Sequence, residues 1–200
     1  MTMKPRTCDV ISCPLQGSKP VWGTGSSSSI CTLIGEAPGG DEEAYGAPFV
    51  GRSGQELTMY LKQFTRVIRE HFYITNLVKC QPPKNRDPYA KEIEYCVENY
   101  LKPELIDTDS AIIGVVGRVS TQWFLGKTTM EKVHGIPFHW EGLLMESIVV
   151  PLYHPAYGLH SPRQMKDVIE DFTALGRVIR GQLKPRSDNA LKLDYRLEQG

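Results

Sequence analysis

The chain has 200 residues, of which 40% are hydrophobic, and this composition supports a folded core. Its 23 basic and 23 acidic side chains give a formal net charge of zero, so binding of a polyanion must depend on a local basic patch. The apolar runs at residues 111–116 and 148–152 are too short to cross a bilayer, and residues 1–6 are too polar for a secretory signal. These features exclude a membrane protein and predict a soluble, cytoplasmic one.

The chain contains five cysteines. In a reducing cytoplasm an odd number of cysteines does not indicate a set of structural disulfides. Metal binding, catalysis and packing in the core remain as interpretations, and the spacing of the cysteines has to distinguish them.

From residue 30 onward, short apolar runs alternate with segments of helical spacing. We predict strands at residues 30–34, 72–77, 111–116 and 148–152. We predict helices that begin near Ser53, Pro88 and Ser161, and a short helix around residues 123–125. Strands that alternate with helices are typical of a three-layer α/β/α fold, here with a central, mainly parallel sheet of four strands.

One domain is predicted over residues 1–180. Residues 181–200 are charged, and their strand-like part, residues 191–197, follows a polar stretch at residues 184–188. This segment is interpreted as a tail, a docking strand or the start of a further domain, and we favour a tail or linker.

Polar side chains follow three of the predicted strands. Glu36 lies after the first strand, Asn76 near the end of the second, and His154 after the fourth. Ligands of open α/β sheets bind outside the carboxyl ends of the strands. A single histidine or asparagine at such a place is more often structural, as a hydrogen-bonding or turn residue. Together, however, the three side chains predict a pocket at one edge of the sheet.

Four separated motifs occur in order at residues 35–39, 46–54, 73–80 and 154–157. They resemble the family 4 uracil-DNA glycosylases, and the resemblance extends from about Cys13 to Leu175. Family 5 enzymes are less similar, because their first motif replaces the acidic residue that stands here as Glu36. The resemblance implies an enzyme that extrudes uracil from DNA, hydrolyses its N-glycosidic bond and leaves an abasic site.

The resemblance assigns roles to the pocket residues. Glu36 is expected to position or activate the attacking water and to face the positive charge on the sugar. Asn76 is expected to read uracil through its amide, because N3–H and O4 match an amide carbonyl and an amide N–H. His154 is expected to donate a hydrogen bond to O2 of the departing uracil, as a neutral imidazole.

Three further residues are expected to contact the base. Phe49 stacks on the flipped uracil in this interpretation, whereas the residue alone also fits an ordinary place in the core. Ala37 belongs to the first motif and is expected to line the pocket. Glu42 corresponds to the family residue that crowds the C5 edge of uracil and so helps to reject thymine.

The DNA backbone is expected to bind next to the pocket. Arg52, Ser53 and Gly54 lead into a helix amino terminus, which is a natural phosphate site. Lys79, with the loop at residues 82–86, is predicted to extend this basic strip.

Leu159 is predicted to insert into the base stack as a wedge. The segment around it departs from the family pattern, which has a bulky apolar residue at the position of Gly158 and often an arginine at that of His160.

The resemblance also implies a structural 4Fe–4S cluster bound by four cysteines: Cys8, Cys13, Cys80 and Cys96. The separations of the last three are similar to those in the family, whereas Cys8 and Cys13 are further apart than the usual pair. Zinc is the less favoured alternative, since it also accepts four thiolates. Cys31 lies within the first predicted strand and is interpreted as a core residue.

Two other functions are compatible with these motifs. In the first, the chain is a DNA-binding module of the same fold with weak or no catalysis, associated with a replication protein. In the second, it is a glycosylase for another deaminated base such as hypoxanthine. We favour the uracil glycosylase, because Glu36, Asn76 and His154 are all present. Its expected partners are single- or double-stranded DNA containing uracil and a replication or repair protein, and it is expected to be a monomer.

Overall fold

The computed structural model describes residues 8, 13, 15, 19–142 and 145–191. Among these residues, no helix is both long and apolar enough to cross a membrane.

The secondary structure follows the predicted alternation. The strands are β1 (Cys31–Gly35), β2 (Phe72–Asn76), β3 (Ile112–Val116), β4 (Phe138–Gly142), β5 (Met145–Leu152) and β6 (Arg186–Leu191). The helices are α1 (Gly40–Tyr45), α2 (Arg52–Tyr60), α3 (Ala90–Cys96), α4 (Lys102–Thr108), α5 (Arg118–Leu125), α6 (Met130–Val133) and α7 (Pro162–Ile179). Single π-helical turns follow α2 and α3, and short 3-10 segments include Pro83–Asn85 and Pro155–Leu159.

The strands form one sheet in the order β2-β1-β3-β5-β4-β6. Strands β2, β1, β3 and β5 are parallel to one another, and β4 is antiparallel to β5. The predicted mainly parallel α/β/α fold is therefore confirmed, but the predicted number of four strands is wrong. The two additional strands, β4 and β6, extend the sheet beyond β5, and β4 pairs with β6 in parallel.

Consecutive residues of the central strands face two separate cores. Leu33 packs with Leu57 of α2 and Phe172 of α7 in one core. Ile34 packs with Leu101 and with Phe124 of α5 in the other. The predicted strands are nearly continuous apolar runs because both faces of the sheet are covered.

Two of the predicted helix starts are shifted. Helix α2 begins at Arg52 after Gly51, so Ser53 lies inside the helix and does not cap it. Helix α3 begins at Ala90, two residues after Pro88, because the Glu92 carboxylate accepts a hydrogen bond from the backbone N–H of Tyr89. The start of α7 is confirmed, since the Ser161 hydroxyl accepts a hydrogen bond from the backbone N–H of Gln164.

Two segments from opposite parts of the chain pair with opposite edges of the sheet. Thr24 pairs with Ile74 of β2 at one edge, and β6 pairs with β4 at the other. The part of the carboxyl-terminal segment at residues 186–191 thus joins the sheet, whereas most of the strand-like stretch at residues 191–197 lies outside the described residues. The domain boundary at residue 180 stays a prediction.

Candidate active site

A cavity of about 440 Å³ lies at the carboxyl ends of the parallel strands. In the order β2-β1-β3-β5, the connection from β1 leads to one side of the sheet and the following connection leads to the other, so the strand order reverses between β1 and β3. Open α/β folds bind ligands at the carboxyl ends of the strands at such a point. The cavity is lined by Glu36, Ala37, Pro38, Gly39, Glu42, Phe49, Ser53, Asn76, Pro82, Asn85, Arg86, Asp87 and His154. The predicted convergence of carboxylate, amide and imidazole at one edge is therefore observed.

Asn76 is the last residue of β2 and lies opposite Gly35 of β1. Its side chain is buried, with 2% of the residue exposed, and its Oδ1 has no hydrogen-bond partner among the described residues. A buried acceptor without a partner costs about 1–3 kcal/mol. This amide oxygen is therefore available to a donor on a molecule that enters the cavity.

Gly35 allows the amide and an aromatic ring to approach the end of the strand. A Cβ atom on residue 35 would lie 2.3 Å from Asn76 Oδ1 and 2.7 Å from the Phe49 ring. Any larger residue at position 35 would displace both groups, so the close packing of this cavity wall requires glycine.

The backbone of Asn76 is held by a buried ion pair. Lys79 donates from Nζ to the Asn76 carbonyl oxygen at 2.9 Å and to Thr75 Oγ1 at 2.6 Å, and it pairs with Glu104 at 2.7 Å. Lys79 is 1% exposed. The prediction that Lys79 contributes to a basic DNA-binding strip is therefore wrong, because its ammonium group is buried and paired with Glu104.

Phe49 presents its ring to the cavity from a strained backbone. Its φ is 53°, in the left-handed region that costs a non-glycine residue about 1–3 kcal/mol. Arg69 donates from Nη2 to the Pro48 carbonyl oxygen at 2.8 Å. Gly54 is required behind the loop, because a Cβ there would lie 1.8 Å from the Phe49 carbonyl oxygen. These contacts hold the ring centroid 5.9 Å from that of His154.

Glu42 joins the two loops that enclose the cavity. Its Oε2 accepts a hydrogen bond from Gly39 N at 3.1 Å, and its Oε1 accepts from Val50 N and Gly51 N, both at 3.1 Å. The carboxylate thus links the loop before α1 to the two residues that follow Phe49 while it also lines the cavity.

His154 has a defined tautomer. Its Nδ1 accepts a hydrogen bond from Ala156 N at 3.3 Å, so the proton of the neutral ring lies on Nε2. Burial lowers the pKa of His154 below its usual value, and the opposing charge of Glu42 only partly offsets this. The ring is therefore a neutral hydrogen-bond donor at neutral pH.

The pKa of Glu36 is shifted upward, in the opposite direction to that of His154. Burial raises the pKa of Glu36 to about 7, the negative charge of Asp87 raises it as well, and the positive charge of Arg118 opposes both. Asp87 and Arg118 form an ion pair at the rim of the cavity. Glu36 is consequently an acid that gains and loses its proton near neutral pH.

Comparison with known proteins identifies the family. A family model described as the uracil DNA glycosylase superfamily matches residues 22–173. The chain belongs to this superfamily. It is similar to type-4 uracil-DNA glycosylases from three organisms.

The identity is 39% for the protein of Sulfurisphaera tokodaii, over 75% of this chain and 70% of that protein. For the protein of Archaeoglobus fulgidus the identity is 36%, over 83% of this chain and 86% of that protein. For the protein of Thermotoga maritima it is 36%, over 80% of this chain and 83% of that protein. These relatives place the chain with the type-4 members of the superfamily.

A second groove of about 770 Å³ lies beside the cavity in this superfamily member. Phe49 lines both, so the two are contiguous. The groove contains Arg52 and Gly54 at the amino-terminal end of α2, whereas Ser53 faces the main cavity. The three residues predicted to bind DNA backbone are thus divided between the two surfaces.

Leu159, the predicted wedge, does not line either of these two surfaces. It is the last residue of the 3-10 segment Pro155–Leu159 that follows His154, and it is 37% exposed. Gly158 before it is buried against Met165, Tyr60 and Val168, where a Cβ would lie 3.4 Å from each. The departure from the family pattern at this position therefore leaves a tightly packed loop.

Three of the predicted cysteine ligands lie in one core. Cys13, Cys80 and Cys96 are 6%, 4% and 2% exposed and pack in the same hydrophobic cluster. Burial, followed by the effect of the other three predicted ligand thiols, raises the pKa of Cys80 to about 12. Cys8 is partly exposed, and its Sγ accepts a hydrogen bond from the Tyr100 hydroxyl at 3.2 Å.

The four thiols are close enough that Cys8 and Cys13 raise the pKa of both Cys80 and Cys96. Within the part of the chain that the structure describes, no group of three or more His, Cys, Asp or Glu side chains is placed to hold a metal ion. By their chemistry, four thiols suit a four-iron cluster or zinc. Cys31 packs in the core on the other face of the sheet, as its predicted core role requires.

Arg69, Lys79 and Glu104 support the site but were not predicted to do so. Arg69 and Pro48 are 21 residues apart, and Lys79 and Glu104 are 25 apart. No periodic pattern joins residues at such distances. One local signal was available, because Lys79 is three residues after Asn76 and follows a buried strand.

Proposed function

We propose that this protein excises uracil from DNA by hydrolysing the N-glycosidic bond of deoxyuridine, which releases free uracil and leaves an abasic site. The observation that carries the proposal is the buried amide of Asn76, whose Oδ1 is unpaired among the described residues. This amide shares one cavity with the neutral imidazole of His154, the ring of Phe49 and the carboxyl group of Glu36. The type-4 relatives support catalysis rather than binding alone.

Asn76 selects the base. Its Oδ1 accepts from N3–H of uracil and its Nδ2 donates to O4, whereas cytosine presents an acceptor at N3 and a donor at C4. Cytosine would leave both buried groups mismatched, at a cost of about 1–3 kcal/mol for each. Lys79 holds the backbone of Asn76 and so fixes the point from which its amide enters the cavity.

Phe49 and Glu42 form the walls around the base. The Phe49 ring stacks on the flipped uracil, and such aromatic stacking contributes about 1–3 kcal/mol per base. Glu42 and Ala37 line the same cavity. Because Glu42 fixes the loop that carries Phe49, it shapes the space available at the C5 edge and disfavours the methyl group of thymine.

His154 stabilises the leaving group. As the C1′–N1 bond breaks, its electron pair passes to uracil, and negative charge collects at O2. The Nε2–H of the neutral imidazole donates a hydrogen bond to that oxygen without transferring its proton. The burial that lowers the pKa of His154 also strengthens this hydrogen bond, since little water competes with it.

Glu36 acts on the water. In its ionised form it accepts a hydrogen bond from the water and takes its proton as the water oxygen bonds to C1′. The same negative charge stabilises the cationic sugar in the transition state. A pKa near the working pH suits this role.

The DNA backbone binds beside the cavity. The backbone N–H groups at the start of α2 and the exposed guanidinium of Arg52 face the groove next to Phe49 and grip phosphates on either side of the flipped nucleotide. Leu159, exposed on the loop after His154, fills the space that the uracil leaves in the stack.

Cys8, Cys13, Cys80 and Cys96 would hold a 4Fe–4S cluster. Cys8 and Cys13 raise the pKa of both Cys80 and Cys96, so the four thiols lie near one another, which supports a shared site, and the resemblance to family 4 favours a 4Fe–4S cluster over zinc there. The cluster would supply a structural link and no step of bond cleavage. It would join Cys8 and Cys13 to Cys80, four residues after β2, and to Cys96 at the end of α3.

The test uses single- and double-stranded oligonucleotides that carry one uracil, with alkaline cleavage of the abasic product. We expect the wild-type protein to cleave them and Asn76→Ala and His154→Ala each to lower the single-turnover rate at least about a hundredfold. Ile106→Ala, a change at an exposed site on α4, is the control and retains the rate. No cleavage by the wild type, or full rates in both cavity variants, would refute the proposal.

A further inference from the structure

Asp171 of α7 binds Tyr153, the residue that follows β5 and precedes His154. It is completely buried. Its Oδ1 pairs with Nδ1 of His134 at 2.6 Å, and its Oδ2 accepts a hydrogen bond from Tyr153 N at 2.7 Å. One carboxylate therefore joins a helix, the turn before β4 and the residue that precedes His154.

The surrounding backbone is built around this carboxylate. A Cβ on Gly135 would lie 3.0 Å from Asp171 Oδ1, and Gly135 has a φ of +68°, which favours glycine. Gly135 N also donates to the Pro151 carbonyl oxygen of β5 at 2.8 Å. The turn after α6 is thus fastened to the same strand end that Asp171 holds.

The imidazole of His134 complements the buried charge. The hydrogen bond that His134 donates to Asp171 raises the pKa of His134 above its usual value despite the partial burial of the ring. A buried carboxylate is stable only when it is paired and its oxygens accept hydrogen bonds. Both oxygens of Asp171 meet this requirement, one through His134 and the other through Tyr153.

Aromatic rings extend the support to the loop after His154. The His134 ring lies 4.8 Å from the Tyr153 ring, and the Tyr153 ring stacks on Tyr157 at 4.1 Å with an interplanar angle of 6°. Tyr157 belongs to the 3-10 segment Pro155–Leu159. His154 therefore lies between two residues, Tyr153 and Tyr157, that this stack links.

We infer that Asp171 and His134 are positioning residues for His154, acting through the Tyr153 backbone and the Tyr153–Tyr157 stack, an inference that rests on the proposed function. Nδ1 of His154 accepts a hydrogen bond from Ala156 N, which lies within the same loop. On the amino-terminal side of His154, the loop is anchored to α7 through the Tyr153 backbone. A displacement of about 1 Å in a catalytic group lowers a rate by about a hundredfold, so loosening this anchor reduces catalysis without altering DNA binding.

The experiment compares Asp171→Ala, Asp171→Asn and His134→Ala in single-turnover excision of uracil from single-stranded DNA. We expect Asp171→Ala to lower the rate at saturating enzyme at least tenfold while the enzyme concentration for half-saturation changes less than threefold. Asp171→Asn retains an oxygen acceptor for Tyr153 N and keeps the rate within about threefold of wild type. Glu170→Ala, an acidic-to-alanine change at an exposed site on the same helix, is the control.

The second readout is the nitrogen NMR signal of the His154 ring, which does not depend on turnover. We expect Asp171→Ala and the partly exposed His134→Ala to shift or broaden it, and Asp171→Asn and Glu170→Ala to leave it in place. If Asp171→Ala does not fold, His134→Ala carries both readouts.

A folded Asp171→Ala or His134→Ala protein with the wild-type rate and an unchanged His154 signal overturns the inference. A rate loss that only follows the loss of folded protein, with the ring signal unchanged in the folded fraction, also overturns it. An inert wild type refutes the proposed function instead, while the NMR comparison still decides whether Asp171 positions His154.

Discussion

Burial acts on Glu36 and His154 with opposite consequences for their pKa values, because it disfavours whichever protonation state is charged. It raises the pKa of the carboxyl group to about 7 and lowers that of the imidazole. The cavity thus contains a base that is half ionised near neutral pH and a hydrogen-bond donor that is neutral there. The pH dependence of the reaction should follow Glu36.

The single-turnover rate is predicted to rise as the pH rises through about 7, because the active form of Glu36 is the carboxylate and its raised pKa keeps it protonated below that pH. Well below pH 7 the rate should fall about tenfold for each pH unit. In Glu36→Gln the rate should be at least about a hundredfold lower and independent of pH across this range. A pH–rate profile of both proteins checks this, and a rise near pH 7 that persists in Glu36→Gln would exclude Glu36 as its source.

Single residues were predictable from sequence where their place in the fold decided their role. Asn76 and His154 follow strands that the apolar runs reveal, so their meeting at one edge followed from the sheet. The partner of a buried side chain is set by tertiary packing, and no local pattern shows that Lys79 binds Glu104 or that Asp171 binds His134. The left-handed conformation of Phe49 was equally invisible, because nothing in a phenylalanine favours it.

At the scale of elements, the loop between α1 and α2 is held by hydrogen bonds to two side chains outside it, those of Glu42 and Arg69. Glu42 accepts hydrogen bonds from Val50 N and Gly51 N on one side of Phe49. Arg69 binds the Pro48 carbonyl oxygen on the other side and also donates to Thr58 Oγ1 of α2 at 3.2 Å. The strain at Phe49 persists because these contacts fix both neighbours.

Arg69→Lys should weaken base stacking, since an ammonium group cannot reproduce the two-pronged contact of a guanidinium. We expect KM for uracil-containing DNA to rise about tenfold, with a loss of about 1–2 kcal/mol in the free energy of unfolding. Steady-state kinetics and urea unfolding measure these changes. Arg66→Lys, a matched change at an exposed neighbour, should leave both unchanged.

The rise in KM caused by Arg69→Lys should largely disappear when Phe49 is already alanine, because the two residues act as one unit. An equal rise in KM with and without the Phe49 ring would show that Arg69 acts in some other way.

Strand β4 illustrates an element that sequence analysis missed although a signal was present. Phe138 and Trp140 are buried, and His139 and Glu141 are exposed, which is the alternation of a strand with one covered face. The four predicted strands were found as continuous apolar runs, and β4 lacks one. Strand β6 is polar at residues 186–189 and shows neither an apolar run nor an alternation of polar and apolar residues. Its pairing with β4 defines it as a strand.

For the molecule as a whole, the candidate active site and the cysteines lie at different places on one sheet. The cavity occupies the carboxyl edge, while Cys13, Cys80 and Cys96 lie in the core on one face. Val21 N donates to the Lys79 carbonyl oxygen at 2.7 Å, so the amino-terminal segment is already bound beside Cys80. A cluster at this point would fix that segment against β2 and α3.

Purified wild-type protein should contain about four irons per chain and absorb visible light, and Cys80→Ala should lose most of both. We expect the thermal midpoint of Cys80→Ala to fall by several degrees, because the link between the amino-terminal segment and the domain is lost. Cys31→Ala is the control, since Cys31 packs on the opposite face of the sheet, and it should keep its iron. Iron retained in Cys80→Ala, or one zinc in place of iron, would contradict the assignment.

The most direct test of the central claim identifies the base that the wild-type protein releases. Oligonucleotides that contain uracil, hypoxanthine, thymine or cytosine at one position are incubated separately, and the free bases are measured by mass spectrometry. We expect free uracil in an amount equal to the abasic sites formed, with no thymine or cytosine released. Release of a different base, or no free uracil from folded protein, would contradict the claim that Asn76, His154 and Glu36 form a uracil-excising site.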